Sequence, residues 1–280
     1  MRFTTSQLGL LALCCTAACG DNLSAPSRDA VGGDAPAPLA CVPNLDGRID
    51  AEEVAPAIGV TVRYLVNPAS EPREVDLAGA IDDRGRRVWD LATDWASDEV
   101  LTSAAIDPAG AWWRDDFAAA DFAAPLVLAG RTLGVYAHDA DAVRLLGVVS
   151  TEEEPREGQT LLTYTTPIVV WRVPLEPGAA WVSASDVRDA VVRGLPYAGR
   201  DVYEVAVVAA GVLELPDVGF DQALRVTTRL TITPAVGQAV QRRQSAFVFE
   251  CFGEVARATS PDGEDEDDFP IAAELRRFGL

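Results

Sequence analysis

The sequence contains no lysine, so each of its 23 basic residues is an arginine. Without lysine the chain lacks the amine that forms Schiff bases and the lysine of phosphate-binding loops. The single histidine, His138, excludes a zinc site built from several histidines. A serine–histidine–acid triad would have to use His138, yet no serine lies in a Gly-x-Ser-x-Gly motif. These absences predict a protein without catalytic machinery.

Positive charge is scarce overall, because 43 acidic residues leave the chain with a formal net charge of −20. No basic patch is present to neutralise phosphates, which excludes nucleic acid as a partner. Glycine fingerprints for dinucleotides are absent as well. Acidic residues abound, but no pair of them is marked by its position as catalytic. A hydrolase therefore stays as an alternative without named residues.

The apolar run at the start of the chain is short. It covers residues 8–15, follows the positive charge of Arg2 and leads into small residues. This is the layout of a secretory signal peptide, and it is shorter than the roughly 20 apolar residues of a membrane-spanning helix. The Thr-Ala-Ala-Cys string at residues 16–19 resembles the lipobox of bacterial lipoproteins. The resemblance implies a signal peptide at residues 1–18 and a lipid on Cys19 that attaches the protein to a membrane.

The lipobox resemblance departs from the family pattern at one position, where Thr16 replaces the usual leucine. A competing motif ends at Cys14, and secretion without a lipid is a second alternative. We predict lipidation at Cys19, since small residues precede it. An aspartate near this site, Asp21, favours sorting to the outer membrane of the cell envelope, with the protein facing the periplasm or the surface.

Composition divides the remainder of the chain into two parts. Residues 19–40 are small, polar and proline-containing, which predicts a flexible linker. Residues 41–280 are predicted to form a single β-rich extracytoplasmic domain, because 49% of the chain is hydrophobic and can supply a core.

Only five cysteines are present. If Cys14 and Cys15 leave with the signal peptide and Cys19 carries lipid, Cys41 and Cys251 remain. An even pair in an oxidising compartment predicts a disulfide between them. Two separate buried thiols are the alternative.

Strand signals dominate from residue 60 onward, as short segments rich in Val, Thr and aromatic residues that turn residues separate. These segments are 60–66, 132–138, 143–149, 160–173, 201–216, 223–234 and 245–260. In the sixth segment, apolar side chains alternate with Arg225, Thr227 and Arg229, which predicts a half-buried strand whose polar side faces water.

Helix signals are weaker. Residues 269–280 place Ile271, Leu275 and Phe278 at helical spacing and predict a short terminal helix. Residues 185–195 fit a helix or a strand. The fold class predicted is therefore mainly β: an antiparallel sheet, either a sandwich or a curved sheet, with a few short helices.

One segment resembles part of an EF-hand calcium loop. With Gly47 at the turn position, the ligand positions fall on Asn44, Asp46, Asp50 and Glu53. The first position holds Val42, which has no oxygen ligand, so the segment is a weak calcium candidate. The alternative is an Asp-Gly turn that leads into a capped helical turn. No other cofactor is expected.

Six tryptophans are present, and aromatic side chains pack cores or form binding platforms. Core packing is the first interpretation. If one tryptophan faces a groove, Trp112 and Trp113 are the candidates, because adjacent residues of a strand point to opposite sides.

These observations predict a lipid-anchored protein of the bacterial envelope with a non-catalytic structural or interaction domain and an unidentified protein partner. The alternative is an envelope protein that binds an apolar ligand, such as a lipid, or a carbohydrate.

Overall fold

Strands make up most of the computed structural model, which describes residues 41–280. The predicted signal peptide, Cys19 and the linker lie outside the described residues. The strands are β1 (Thr61–Val66), β2 (Arg73–Glu74), β3 (Ala80–Ile81), β4 (Arg87–Asp90), β5 (Glu99–Ala104), β6 (Phe122–Pro125), β7 (Thr132–His138), β8 (Ala142–Ser150), β9 (Leu161–Arg172), β10 (Ala180–Val192), β11 (Leu195–Glu214), β12 (Gly219–Pro234), β13 (Val240–Phe249), β14 (Gly253–Thr259), β15 (Ile271–Ala272) and β16 (Glu274–Gly279). The described helices are α1 (Ala51–Val54) and a 3-10 turn at Arg114–Phe117.

Most of the strands form one 14-stranded sheet in the order β5-β1-β16-β14-β13-β12-β11-β10-β9-β8-β7-β6, with β3 and β4 added beside β11. Consecutive strands from β6 to β14 are antiparallel neighbours. Beyond the end of β5, Ile106 forms a bridge with Ala123 of β6, the last strand at the other edge. The two edges therefore approach each other, and the sheet nearly closes on itself. The mainly β prediction is confirmed, in its curved-sheet form.

The concave side of the sheet is identified by side chains that meet across it. Tyr136 in β7 lies close enough to Arg257 in β14 and Arg276 in β16 for electrostatic interaction, although β7 and β14 are seven steps apart in the sheet order. Strands so distant along a sheet can approach only across its concave side. That side also holds an apolar cluster with members from β6, β8, β11, β12 and β13.

One end of the concave side is closed by the chain before β1. Ile49 pairs with Leu175 through backbone hydrogen bonds of 2.9 and 2.8 Å, and Val54 of α1 joins the same apolar cluster. A disulfide joins Cys41 to Cys251 in the β13–β14 turn, with their Cα atoms 5.5 Å apart. The predicted cysteine pairing is therefore present.

The convex side is covered in two places. Residues between β1 and β5 bring Leu77, Trp89 and Leu91 onto an apolar cluster that includes Phe247 and Phe269. Residues between β5 and β6, among them Trp113 and Phe117, cover a smaller apolar cluster with members from β7 and β8.

One prediction about local structure is wrong, and one that was open between a helix and a strand is resolved as a strand. Residues 271–279 form strands β15 and β16 instead of a terminal helix, because β16 inserts between β1 and β14 and pairs with both. Residues 185–195 belong mainly to β10.

The polar side of β12 was predicted to face water, but its first half is buried. Arg225 is only 5% exposed, and Thr227 is buried as well. A side chain before β15 covers this part of β12, since Asp268 accepts a hydrogen bond from Arg225 Nη2 at 2.6 Å. Alternation alone could not show that another segment lies over the strand.

Candidate functional site

The calcium candidates lie together before and within α1, but nitrogen donors already bind their oxygens. Asn44 Oδ1 accepts a hydrogen bond from Asp46 N at 2.8 Å, and Asp46 Oδ1 accepts one from Arg48 N at 3.1 Å. Asp50 forms an ion pair with Arg48. Glu53 accepts from Asn44 Nδ2 at 3.0 Å and from Asp50 N at 2.9 Å. A calcium ion would have to displace these donors.

The second of the Glu53 contacts completes a capping box at the start of α1. This arrangement is the capped helical turn that the sequence offered as the alternative. Within residues 41–280, no group of three or more His, Cys, Asp or Glu side chains is placed to hold a metal ion. Calcium binding stays a prediction, tested by whether millimolar calcium raises the melting temperature of the wild type but not of Asp46→Ala.

The tryptophans mainly serve packing. Trp89 and Trp113 are fully buried, and Trp181 donates its Nε1 hydrogen to Val169 O at 2.9 Å. Trp95 lies under the guanidinium of Arg277, 4.4 Å from the ring centroid. Trp112 is half-buried and donates to a backbone carbonyl at 3.2 Å. Of the two candidates for a groove-facing ring, Trp113 is therefore excluded by burial.

Strand register carries one continuous face across the middle of the sheet. Arg276 lies opposite Arg257, Arg257 opposite Ala246, Ala246 opposite Val226, and Val226 opposite Val207. Residues directly opposite one another in paired strands share a face. Because Arg257 and Arg276 lie on the concave side, all five residues do.

The same rule places tyrosines on the concave side. Stepping by two along β11 from Val207 reaches Tyr203 and Asp201. Tyr64 occupies the equivalent position in β1, two residues before Val66, the partner of Arg276. All five tyrosines of the chain lie on this side. We call it the tyrosine face and define it by Tyr64, Tyr136, Tyr164, Tyr197, Tyr203, Asp201, Glu254, Arg257 and Arg276.

A buried carboxylate binds two arginines at one end of the tyrosine face. Arg257 Nε donates to Glu254 Oε2 at 2.8 Å, and Arg276 Nε donates to Glu254 Oε1 at 2.7 Å. The side chain of Glu254 is 9% exposed. Burial acts to raise the pKa of Glu254, but the two arginines outweigh it and hold that pKa below its ordinary value. Glu254 therefore stays ionised, and the three side chains together carry one net positive charge.

Tyr64 completes this charged group. Its hydroxyl donates to Glu254 O at 2.8 Å, and its ring lies 5.7 Å from the guanidinium carbon of Arg276. Burial raises the pKa of Tyr64 to about 12, so the hydroxyl remains a donor.

A second carboxyl group, Asp201, lies at the other end of the tyrosine face. The hydroxyl of Tyr164 donates to Asp201 Oδ2 at 2.6 Å. Asp201 is 5% exposed, and its Oδ1 atom has no hydrogen-bond partner among residues 41–280. Burial raises the pKa of Asp201 above its ordinary value. Burial likewise raises the pKa of Tyr164 and of Tyr203.

Solvent reaches the tyrosine face from one end. At the end closed by Ile49, the concave residues Leu224 and Val248 are buried. Farther along the same strands Tyr203, Leu230 and Gln244 are only half-buried. The concave side is thus packed at one end and accessible at the other, where tyrosines and charged groups lie beside aliphatic side chains such as Leu230.

Sequence reasoning missed the tyrosine face, since neither the tyrosines nor the Asp201 and Glu254 positions form a local motif. A detectable signal was the placement of every tyrosine within or beside a strand pattern. The family models, characterised proteins and solved structures compared with this chain include no match to it.

Proposed function

We propose that this chain is a lipid-anchored protein of the bacterial cell envelope, acylated at Cys19, whose β-rich domain binds a partner without catalysing a reaction. The observation that carries the interaction role is the tyrosine face. Tyrosine offers an apolar ring and a polar tip, a combination enriched at interfaces.

The disulfide supports the proposed location. Disulfides persist in oxidising compartments and are rare in the cytosol. The bond between Cys41 and Cys251 therefore favours a protein that folds after export, as the signal-peptide layout and the lipobox resemblance also do. Within residues 41–280, no helix is long and apolar enough to cross a membrane. The proposed anchor is the lipid on Cys19, at the outer membrane.

The experiment is metabolic labelling with palmitate, followed by cell fractionation. We expect label on the wild type and on Cys14→Ala, and none on Cys19→Ala. Cys14→Ala is the matched control because it removes the competing motif. A wild-type protein that stays unlabelled and cytosolic with its leader intact would overturn the proposal. Label lost from Cys14→Ala but kept by Cys19→Ala would move the anchor to Cys14.

A second candidate function is hydrolysis, and one observation favours it. Glu254 has a lowered pKa and Asp201 a raised pKa on the same concave side. Two carboxyl groups with opposite shifts are the pattern of an acid and a base. Against this role, both Glu254 oxygens are bound by arginines. A broad hydrolase screen of the wild type beside Asp201→Asn tests this candidate.

A further inference from the structure

The tyrosine face contains polar atoms whose hydrogen-bonding capacity is unused. Asp201 Oδ1 is buried without a partner. The Nη1 groups of Arg257 and Arg276 make no hydrogen bond within residues 41–280, because these arginines bind Glu254 through Nε and Nη2. Of these atoms, only Asp201 Oδ1 is both buried and unpaired, and leaving such a group without a partner is destabilising. These atoms are therefore positioned to receive a ligand that can donate and accept hydrogen bonds.

An apolar ligand fits this surface poorly. A fatty chain against the tyrosine face would remove water from Asp201 and from the Nη1 groups without replacing its hydrogen bonds. The aliphatic part of the concave side, around Leu224 and Val248, is already buried by the chain before β1. At the accessible end, Leu230, Ile232 and Val240 share the face of Tyr203 and Asp201 and are half-buried or exposed. A fatty chain packed on them would still cover Asp201 without replacing its hydrogen bonds.

An extended peptide is also disfavoured. Such peptides bind by adding a strand to an exposed sheet edge. Here the edge strands β5 and β6 approach each other through the bridge between Ile106 and Ala123. The unused donors and acceptors of the tyrosine face belong to side chains in the middle of the sheet.

A saccharide matches the remaining chemistry. Its hydroxyl groups both donate and accept, which suits a carboxyl and two guanidinium groups on one surface. Its C–H faces can pack on aromatic rings, and Tyr136 and Tyr203 are the half-buried tyrosines closest to Arg257. The chain as a whole carries a net charge of −20, which repels an approaching anion. The net positive charge that Glu254, Arg257 and Arg276 carry together repels a cation, so the ligand is expected to be uncharged.

We infer that the tyrosine face is a binding site for a neutral saccharide, held by Asp201 and Arg257 and packed on Tyr203. This inference rests on the proposed interaction role and names the class of ligand for the same surface. Asp201 and Tyr203 contact the ligand in this arrangement, whereas Tyr164 positions Asp201 through the 2.6 Å hydrogen bond.

The test uses the purified full chain in mild detergent. A glycan array with neutral and acidic saccharides identifies a probe, and calorimetric titration with the best neutral saccharide measures affinity. We expect Asp201→Ala and Tyr203→Ala each to weaken binding about tenfold, since the first removes a hydrogen-bonding group and the second removes the ring on which the ligand packs. Glu204→Gln is the matched control, because Glu204 neighbours Tyr203 but points to the convex side. Its affinity should equal that of the wild type.

Thermal melts of each variant confirm that a loss of binding is not a loss of folding. The inference is overturned if no neutral saccharide binds, if only acidic saccharides bind, or if all three variants behave alike. Native mass spectrometry that finds a co-purified lipid on the concave side would also overturn it. Release of new reducing ends would keep the saccharide site but reject the non-catalytic role. Palmitate labelling has no bearing on these measurements, so the two proposals can fail separately.

Discussion

At the residue scale, two buried carboxyl groups on one surface have pKa values shifted in opposite directions. Glu254 has two arginines to compensate for its lost hydration, whereas the hydrogen bond that Asp201 accepts within residues 41–280 comes from the hydroxyl of Tyr164. Burial raises the pKa of Asp201 above 3.8 for this reason. The neutral form of Asp201 is therefore favoured by folding, and its ionised form is disfavoured.

The sign of the pH dependence follows from this shift. A raised folded-state pKa gives stability that is fully present below the unfolded pKa and lost as pH rises through the folded value. We predict that Asp201→Asn gains stability relative to the wild type as pH rises from 4 to 8. Urea denaturation at several pH values measures this difference.

The control for this prediction is Asp186→Asn on the adjacent strand. A hydrogen bond from Arg200 lowers the pKa of Asp186, so its contribution is present above the unfolded pKa and lost as pH falls. The difference in stability between Asp186→Asn and the wild type should therefore change only below about pH 3.8 and stay nearly constant from pH 4 to 8, where that of Asp201→Asn changes. A constant difference for Asp201→Asn would contradict the assignment.

Gly147 in β8 illustrates a steric requirement at the same scale. A Cβ atom built on Gly147 would lie 2.1 Å from Leu162 O and 2.5 Å from the Phe117 ring. The carbonyl belongs to the paired strand β9 and cannot move away freely. We predict that Gly147→Ala lowers the free energy of unfolding by about 2 kcal/mol.

Chemical denaturation of Gly147→Ala beside Gly279→Ala tests the steric argument. A Cβ at Gly279 would make only ordinary contacts, the nearest at 3.4 Å with Leu65. Equal stability of the two variants would show that β8 and β9 separate easily.

At the element scale, the acidic segment of residues 260–270 is attached to the sheet by arginines. Arg243 in β13 is buried, donates to Glu264 O at 3.2 Å and pairs with Asp267. Arg225 in β12 binds Asp268. Self-repulsion of the acidic run is thus offset by buried positive charge, which the run itself does not reveal.

We predict that Arg243→Met releases this segment. The variant would leave two backbone carbonyls and Asp267 without their donor. Limited proteolysis with an acid-specific protease should cut residues 262–268 at least several-fold faster than in the wild type. Arg242→Met is the control, since Arg242 is exposed and binds only Asp262. Equal cleavage of both variants would reject a specific role for Arg243.

At the scale of the whole molecule, one covalent bond joins the start of the described chain to the turn between β13 and β14. The disulfide between Cys41 and Cys251 spans a sequence separation of 210 residues. Such a long loop gives a stabilisation on the order of 5 kcal/mol in the chain-entropy model. The bond also fixes the chain before β1 against the β13–β14 turn, where Cys251 N donates to Glu53 O at 2.8 Å.

We predict that replacing both Cys41 and Cys251 with Ser lowers the melting temperature by roughly 10 °C. Reducing agent should lower the melting temperature of the wild type and leave that of the double variant unchanged. Calorimetry with and without reductant provides the measurement. A wild type that is insensitive to reductant while fully reduced would contradict the prediction.

The fold class and the cysteine pairing could be predicted from the sequence, because both depend on patterns within the chain itself. Alternation along β12 is local, and the count of cysteines left two candidates. The terminal segment was predicted wrongly because its structure depends on pairing with other strands. Residues 274–279 have helical spacing, but pairing with β1 and β14 makes them a strand.

The tyrosine face could not be predicted for a related reason. Its members come from β1, β7, β9, β11, β14 and β16, which are far apart in the chain. Only the register between neighbouring strands, together with the curvature of the sheet, brings Tyr64 and Tyr203 to one surface. Alternation gives each strand two faces but does not say which face is concave.

The position of the disulfide also determines how the domain responds to mechanical force. Tension transmitted along the backbone from residue 40 reaches Cys41 and passes through the sulfur atoms into the β13–β14 turn. The stretch from residue 42 to α1 lies outside this path and carries no load. Pulling on the N-terminal side therefore cannot detach the segment that closes the concave side, and the load passes directly to β13 and β14, the strands that flank Cys251.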